Sequence, residues 1–305
     1  MPVAVVFPGQ GTQAPGMGGP WRDRPSWSVV ERASEALGED LGALLTDAPA
    51  EALARTSEAQ LAVLLTSLVA WGEIAARVRE PVAFAGHSLG QVTALVAAGV
   101  LGIEDGIRFA AARAEATQAA ADAHPGRMAA LLGASEEVAA DACAAAPDEC
   151  WLANDNAPGQ IVIAGTPDGM ARAVARAKEL GVRRALPLDV GGAFHTPLMA
   201  GARPAIAGAL ADVALHDPVA PVVSNHDAAP HRDGEGWRTR LVDHVTVPVR
   251  WRGSMETLAR LGATTFVEVG HGSMIAGVAK RTVPGVRVVG CARPDDLPDL
   301  EEALR

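Results

Sequence analysis

Apolar positions along the chain fall into two rhythms. At first, short continuous apolar runs alternate with helix-period stretches, in the order Val3 to Phe7, Ser28 to Leu37, Gln60 to Val78, Val82 to Ala85 and Gln91 to Gly99. Such short unbroken runs predict strands buried on both faces, and their alternation with helices predicts a mostly parallel sheet covered by helices. The rhythm changes near Gly126. Strand Arg127 to Leu132, helix Ser135 to Ala145, strand Trp151 to Asn154, strand Gln160 to Ala164, helix Pro167 to Leu180 and strand Arg184 to Asp189 follow one another. That βαββαβ order is a ferredoxin-like unit, with Ala157-Pro158-Gly159 as its hairpin turn. After His195 the larger pattern resumes with strand Val222 to Ser224, helix Ser254 to Leu261, strand Thr265 to Val269 and strand Val286 to Cys291. The expectation is an α/β protein: a large parallel-sheet body from 1–125 and 190–305, interrupted by a small inserted subdomain at 126–189.

Composition agrees with that picture. A chain of 305 residues, 49% hydrophobic and 20% charged, has ample material for a core and lies far from the disordered class. The most apolar stretch, Leu61 to Val78, is broken by Thr66, Ser67, Gly72, Glu73 and Arg77, so it reads as a buried helix and no membrane partner is expected. Met1-Pro2 leads into a short apolar run with no basic flank, which predicts no signal peptide and a cytoplasmic location. A monomer is the expected state. The three cysteines, Cys143, Cys150 and Cys291, form no CxxC pair and read as buried free thiols, with neither a disulfide framework nor a metal site. A net charge of -10 argues against nucleic acid. The acidic tail from Asp295 to Glu302 reads as a solvated helix.

Candidate chemistry begins at Gly86-His87-Ser88-Leu89-Gly90, which follows an apolar strand and precedes a helical run. That is the setting of a nucleophile elbow: the glycines permit a tight turn, and the helix aims its first amides at developing negative charge. Five residues in a chain with 32 glycines also match by chance. Eight histidines could serve as base. His195 stands apart because Gly191-Gly192-Ala193-Phe194-His195-Thr196-Pro197 reads as a constrained turn at the edge of the insert; spacing selects no acid to accompany it. Phe7-Pro8-Gly9-Gln10-Gly11-Thr12-Gln13 ends the first strand in a glycine-rich loop, either a plain βα turn or an amide donor to an oxyanion.

Taken in order, FPGQGTQ at 7–13, GHSLG at 86–90, Arg113, NDNAPGQIVIAG at 154–165, GAFHTPLM at 192–199, SN at 224–225, PVRW at 248–251 and EVGHG followed by Lys280-Arg281 resemble the malonyl-CoA:acyl carrier protein transacylases and the acyltransferase domains of polyketide synthases. The resemblance spans nearly the whole chain. It implies an α/β-hydrolase-like large subdomain with a ferredoxin-like insert, acylation of Ser88, and His195 as base. It also implies an oxyanion hole from the amides of Gln10 and Leu89, and a backbone carbonyl within Pro248 to Trp251 orienting the histidine. Arg113 would grip the malonyl carboxylate, a task that suits the fixed fork of a guanidinium. Phe194 would crowd an α-methyl branch. Asn154, Asn156, Gln160 and Asn225 match positions near the site, although each also fits a structural role in the hairpin or at a strand end.

Malonyl-CoA and an acyl carrier protein are the implied partners, with no cofactor beyond the coenzyme A thioester itself. An acidic carrier meeting a net negative enzyme needs a local basic patch, for which the candidates are Arg172, Arg176, Lys178, Arg183 and Arg184 in the insert and Lys280 and Arg281 outside it. Solvated helix faces are the plain alternative. Two positions depart from the family pattern: Gln91 stands where Glu is usual, and His271 where Pro is common. Three rival readings remain: a hydrolase that clears wrong acyl groups from carriers, a transferase serving a polyketide synthase with another acyl unit, and an inactive carrier-docking scaffold.

Overall fold

The computed structural model describes residues 1–304. Its large sheet has six strands in the order β10-β9-β1-β2-β7-β8, where β1 is Val3–Phe7, β2 Ala83–Gly86, β7 Val222–Val223, β8 Pro230–His231, β9 Thr265–Val269 and β10 Arg287–Cys291. Every pairing is parallel except that of the short edge strand β8 with β7. β1, β2 and β9 are wholly buried, as unbroken apolar runs require when helices cover both faces. Pairing of Phe7 with Gly86 ends β1 and β2 side by side, so the loops that follow them meet at one sheet edge. In open α/β sheets that carboxyl edge is where ligands bind.

The second sheet is antiparallel, ordered β4-β5-β3-β6, with β3 Arg127–Leu132, β4 Cys150–Ala157, β5 Gln160–Gly165 and β6 Arg184–Pro187. Helices Glu136–Ala144 and Pro167–Glu179 cover one face and share a core of their own with Leu131, Ile161 and Ile163. β4 loses register with β5 after Leu152 and again after Asp155. Between these irregularities it stays paired with β5 and also pairs with the large body: Asp155 N–H donates to Val249 O and Val249 N–H donates to Ala153 O, both at 2.9 Å. Arg252 reinforces the seam with bonds to Asp155 at 2.7 Å and Glu136 at 3.0 Å. Where the chain enters and leaves this region it touches itself: a Cβ added to Gly126 would lie 2.5 Å from that of Ala193.

Two expectations change. The helix anticipated at Gln60 to Val78 runs over Thr56–Ile74, one turn earlier at both ends. Thr56 and Glu58 make a polar first turn, while Pro81 and the positive φ of Glu80 draw the chain out of the helix before β2. The acidic tail is not solvated all round: helix Leu297–Leu304 buries Leu297, Leu300 and Ala303, a three-residue apolar spacing hidden among its charges. No described helix is long and apolar enough to cross a membrane.

Candidate active site

The turn after β2 is tight because two glycines let backbones touch. A Cβ on Gly86 would sit 1.8 Å from Gly90 O, and one on Gly90 would sit 2.4 Å from Phe7 O. Between them Ser88 takes φ +51°, a left-handed conformation that costs an L-residue about 1–2 kcal/mol. The chain then turns into helix Gly90–Ala97. Ser88 is thereby lifted to the sheet edge above the start of a helix, where its Oγ lies 2.6 Å from His195 Nε2.

His195 is also left-handed, at φ +62°, and 5% exposed. Its Nδ1 donates to His244 O at 3.0 Å, so Nδ1 carries the proton and Nε2 is free to accept one from Ser88. The orienting carbonyl therefore does not come from Pro248 to Trp251. That segment is occupied elsewhere: Val249 O takes the amide of Asp155, and Arg250 O takes that of Ser254. Among the described residues no carboxylate bonds the His195 ring. Burial, aided by the Arg113 charge, lowers its pKa to about 3, which keeps the ring neutral.

A cavity of about 320 Å³ opens over this pair. Gln10 and Leu89 line it together with Ser88, and among the described residues neither backbone amide donates to another protein group. The Gln10 loop is held by Thr12 Oγ1 donating to Gly9 O at 3.1 Å and by His271 Nδ1 donating to Thr12 O at 2.7 Å. His271 thus braces the loop from outside the cavity and offers no second base. On the apolar side stand Met128, Val162 and Phe194.

Arg113, from helix Ile103–Ala123, reaches the same cavity. It is 5% exposed and its Nη1 donates to Gln60 Oε1 at 2.5 Å. Among the described residues no carboxylate pairs with it. Burial alone pulls its pKa down to about 10, and the charge is still present at neutral pH. A buried guanidinium met only by a neutral amide has donors and charge suited to a carboxylate. Asn156 Oδ1 lies 2.8 Å from His87 Nε2, and Gln160 Oε1 accepts from Arg281 at 2.6 Å, so both line the cavity while bonded to neighbours. Among the described residues no cluster of three or more His, Cys, Asp or Glu is placed to hold a metal ion.

The acyl transferase domain model matches residues 4–303. The chain belongs to the acyl transferase family. It is similar to the malonyl CoA-acyl carrier protein transacylase of Escherichia coli K12, 38% identical over 289 residues that cover 92% of each chain. The Bacillus subtilis protein of that description is 35% identical over 97% of this chain and 95% of its own. Among solved structures, an acyl carrier protein S-malonyltransferase from Vibrio cholerae superposes with a TM-score of 0.94 at 36% identity, covering 98% of this chain and 100% of that one. A malonyl-transacylase in complex with a type II polyketide synthase acyl carrier protein gives 0.94 at 33% identity, covering 99% and 100%.

On this acyl transferase the candidate docking cations divide. Arg172 is paired with Glu149 at 2.6 Å, and Arg176 with Asp141 and Glu179 at 3.3 and 3.1 Å. Lys178, Arg183, Arg184, Lys280 and Arg281 are exposed, and among the described residues no carboxylate pairs with them. Arg281 stands at the cavity rim through Gln160, whereas Arg183 and Arg184 lie at the start of β6, whose far end continues into Leu188 and Val190 at the cavity. Sequence reasoning missed Gln60, the neutral partner of Arg113, and His244. For His244 no signal existed, because any residue type can supply a backbone carbonyl. Gln91 is buried beneath the elbow and does not face the cavity.

Proposed function

We propose that this acyl transferase carries a malonyl group from malonyl-CoA to the phosphopantetheine thiol of an acyl carrier protein, through an ester on Ser88. Ser88 Oγ attacks the thioester carbonyl as its proton passes to His195 Nε2. Negative charge on the carbonyl oxygen is met by the Gln10 and Leu89 amides, and such donors contribute about 3 kcal/mol each. The C–S bond breaks and coenzyme A leaves as the thiol, taking the proton from His195. The carrier thiol then repeats the steps in reverse on the Ser88 ester, in the ping-pong manner of covalent catalysis. No group outside the two thioesters and these residues enters the sequence, so the reading needs no cofactor. A cytoplasmic monomer, as expected from the sequence, belongs to the same proposal.

One observation carries the choice of acyl group: the Arg113 guanidinium, buried without an acidic partner, shares a cavity with the Ser88–His195 pair. A malonyl carboxylate would give that charge its counter-ion, whereas a neutral acyl chain would leave it bare. That argues against a hydrolase for neutral acyl groups and against an inactive scaffold. The names of the relatives above point to the same substrate. Mixing the protein with a panel of acyl-CoAs and weighing it intact tests the reading. The expected result is one malonyl mass added, none on Ser88→Ala, and at least tenfold slower loading of methylmalonyl-CoA, because a methyl against Phe194 is worth about 1–3 kcal/mol. Labelling that persists on Ser88→Ala, or a neutral acyl group loaded in preference, would overturn it.

A further inference from the structure

The elbow is held from outside its own turn by side chains that take no part in the chemistry above. Asn225 follows β7 and is fully buried. Its Oδ1 accepts from Ser88 N–H at 2.8 Å and its Nδ2 donates to Gly86 O at 2.9 Å. A single amide therefore spans the left-handed serine from both sides. Gln91, in the first turn of the elbow helix and 2% exposed, reaches back to hold that amide in place. Its Oε1 accepts from Asn225 N–H at 2.9 Å and its Nε2 donates to Val223 O at 3.1 Å. The Asn225 carbonyl is engaged as well, by Arg250 N–H at 2.8 Å.

We propose that Gln91 and Asn225 are the positioning residues of this site: Gln91 fixes Asn225, and Asn225 holds the Ser88 backbone in the conformation from which Oγ meets His195. This rests on Ser88 being the nucleophile. Without Asn225 the Ser88 N–H loses its partner, and one of the restraints on the left-handed φ is gone while only the backbone bonds of the turn remain, so relaxation of φ that swings Oγ away from Nε2 becomes easier. Gln91 must present an acceptor at one end and a donor at the other. A carboxylate supplies only the first and turns a charged oxygen on Val223 O; a protonated carboxyl supplies both. Gln91→Glu is therefore a clip that closes only when protonated; burial favours the protonated form, which is how the glutamate usual at this position in the family would close it near neutrality.

The readout is the rate at which an alkyl fluorophosphonate phosphonylates Ser88, followed by intact mass between pH 5.5 and 8.5. In that step an Oγ–P bond forms, fluoride leaves and His195 takes the proton, so no malonyl recognition is involved. At pH 8.5 Gln91→Glu should react about tenfold or more slowly than the unsubstituted protein, as expected for one lost buried hydrogen bond, and recover most of that difference by pH 5.5, because burial at this position raises a carboxyl's pKa well above its free value. Gln91→Met and Asn225→Ala should be slow throughout. A ratio of Gln91→Glu to the unsubstituted protein that does not change with pH, at whatever level, overturns the proposal. If the unsubstituted protein reacts with the probe yet takes nothing from malonyl-CoA, the malonyl reading falls while the clip stands. A chain inert to the probe overturns both.

Discussion

His195 donates through Nδ1 to the carbonyl oxygen of His244, and the two imidazoles lie 5.1 Å apart, tilted by 52°. A neutral carbonyl does the orienting that a carboxylate does in a Ser-His-Asp triad. It fixes the tautomer and raises the basicity of the ring too little to offset burial and the Arg113 charge, which lower its pKa to about 3.

The base should therefore be available over the whole neutral and mildly acidic range. Loading of Ser88 by malonyl-CoA, measured by rapid quench and mass, should be flat from pH 8 to about pH 5, since His195 takes up its proton only near 3. A fall centred near 6.5 would show an ordinary exposed histidine instead.

Stability should behave differently. His195 and His244 are both buried and held below the usual histidine range, His244 through burial and then the neighbouring His195 and Arg113 charges. Below 6.5 the unfolded chain takes up protons that the folded protein refuses, so stability falls as pH falls, from 6.5 down toward the folded values. Each ring contributes a slope of up to about 1.4 kcal/mol per pH unit. Urea unfolding midpoints between pH 7 and 5 should show this decline, and His244→Gln should flatten it. His244 has no hydrogen-bond partner at either ring nitrogen among the described residues, so the substitution removes a liability.

Arg113→Ala should separate malonyl from acetyl transfer. A malonyl carboxylate buried without its partner loses about 2–5 kcal/mol, a factor of roughly 30 or more in rate. Acetyl-CoA has no carboxylate and its slow transfer should persist. Rates for both substrates, measured on one preparation, supply the ratio; a parallel decline would mean that Arg113 supports the fold through Gln60.

The carrier patch can be tested by contrast. Charge reversal at Lys280 and Arg281 should raise the KM for carrier and leave Ser88 loading intact, with added salt mimicking the effect. Reversal at Arg172 should change neither, because that side chain is already paired with Glu149. Equal effects at both places would move the docking surface elsewhere.

Strand positions were largely legible where the chain is buried on both faces: β1, β3 and β9 fall where the apolar runs place them, and β2 begins and ends one residue later than Val82 to Ala85. Helix ends were less so, because Pro81 and a left-handed Glu80 act through backbone geometry and not through hydropathy. Of the candidate site, Ser88, His195 and Arg113 could be named because their chemistry lives in side chains set in motifs. The His244 carbonyl could not, since it is a main-chain group placed by tertiary packing. Asn225 was visible but ambiguous: the same strand-end position reads as a turn residue until Ser88 is seen to donate to it.

The contact of Gly126 with Ala193 has a consequence for how this architecture can vary. A segment whose two ends meet should behave as a cassette, open to exchange for the corresponding piece of a relative without moving the six-stranded sheet, provided the replacement brings its own partners for the surface it docks on. Val249 and Arg252, far from the ends in sequence, form the socket together with His87 and Arg281; a graft that restored the loops but not an acid for Arg252 should plug in loosely and leave the cavity wall carrying Asn154 and Asn156 out of line.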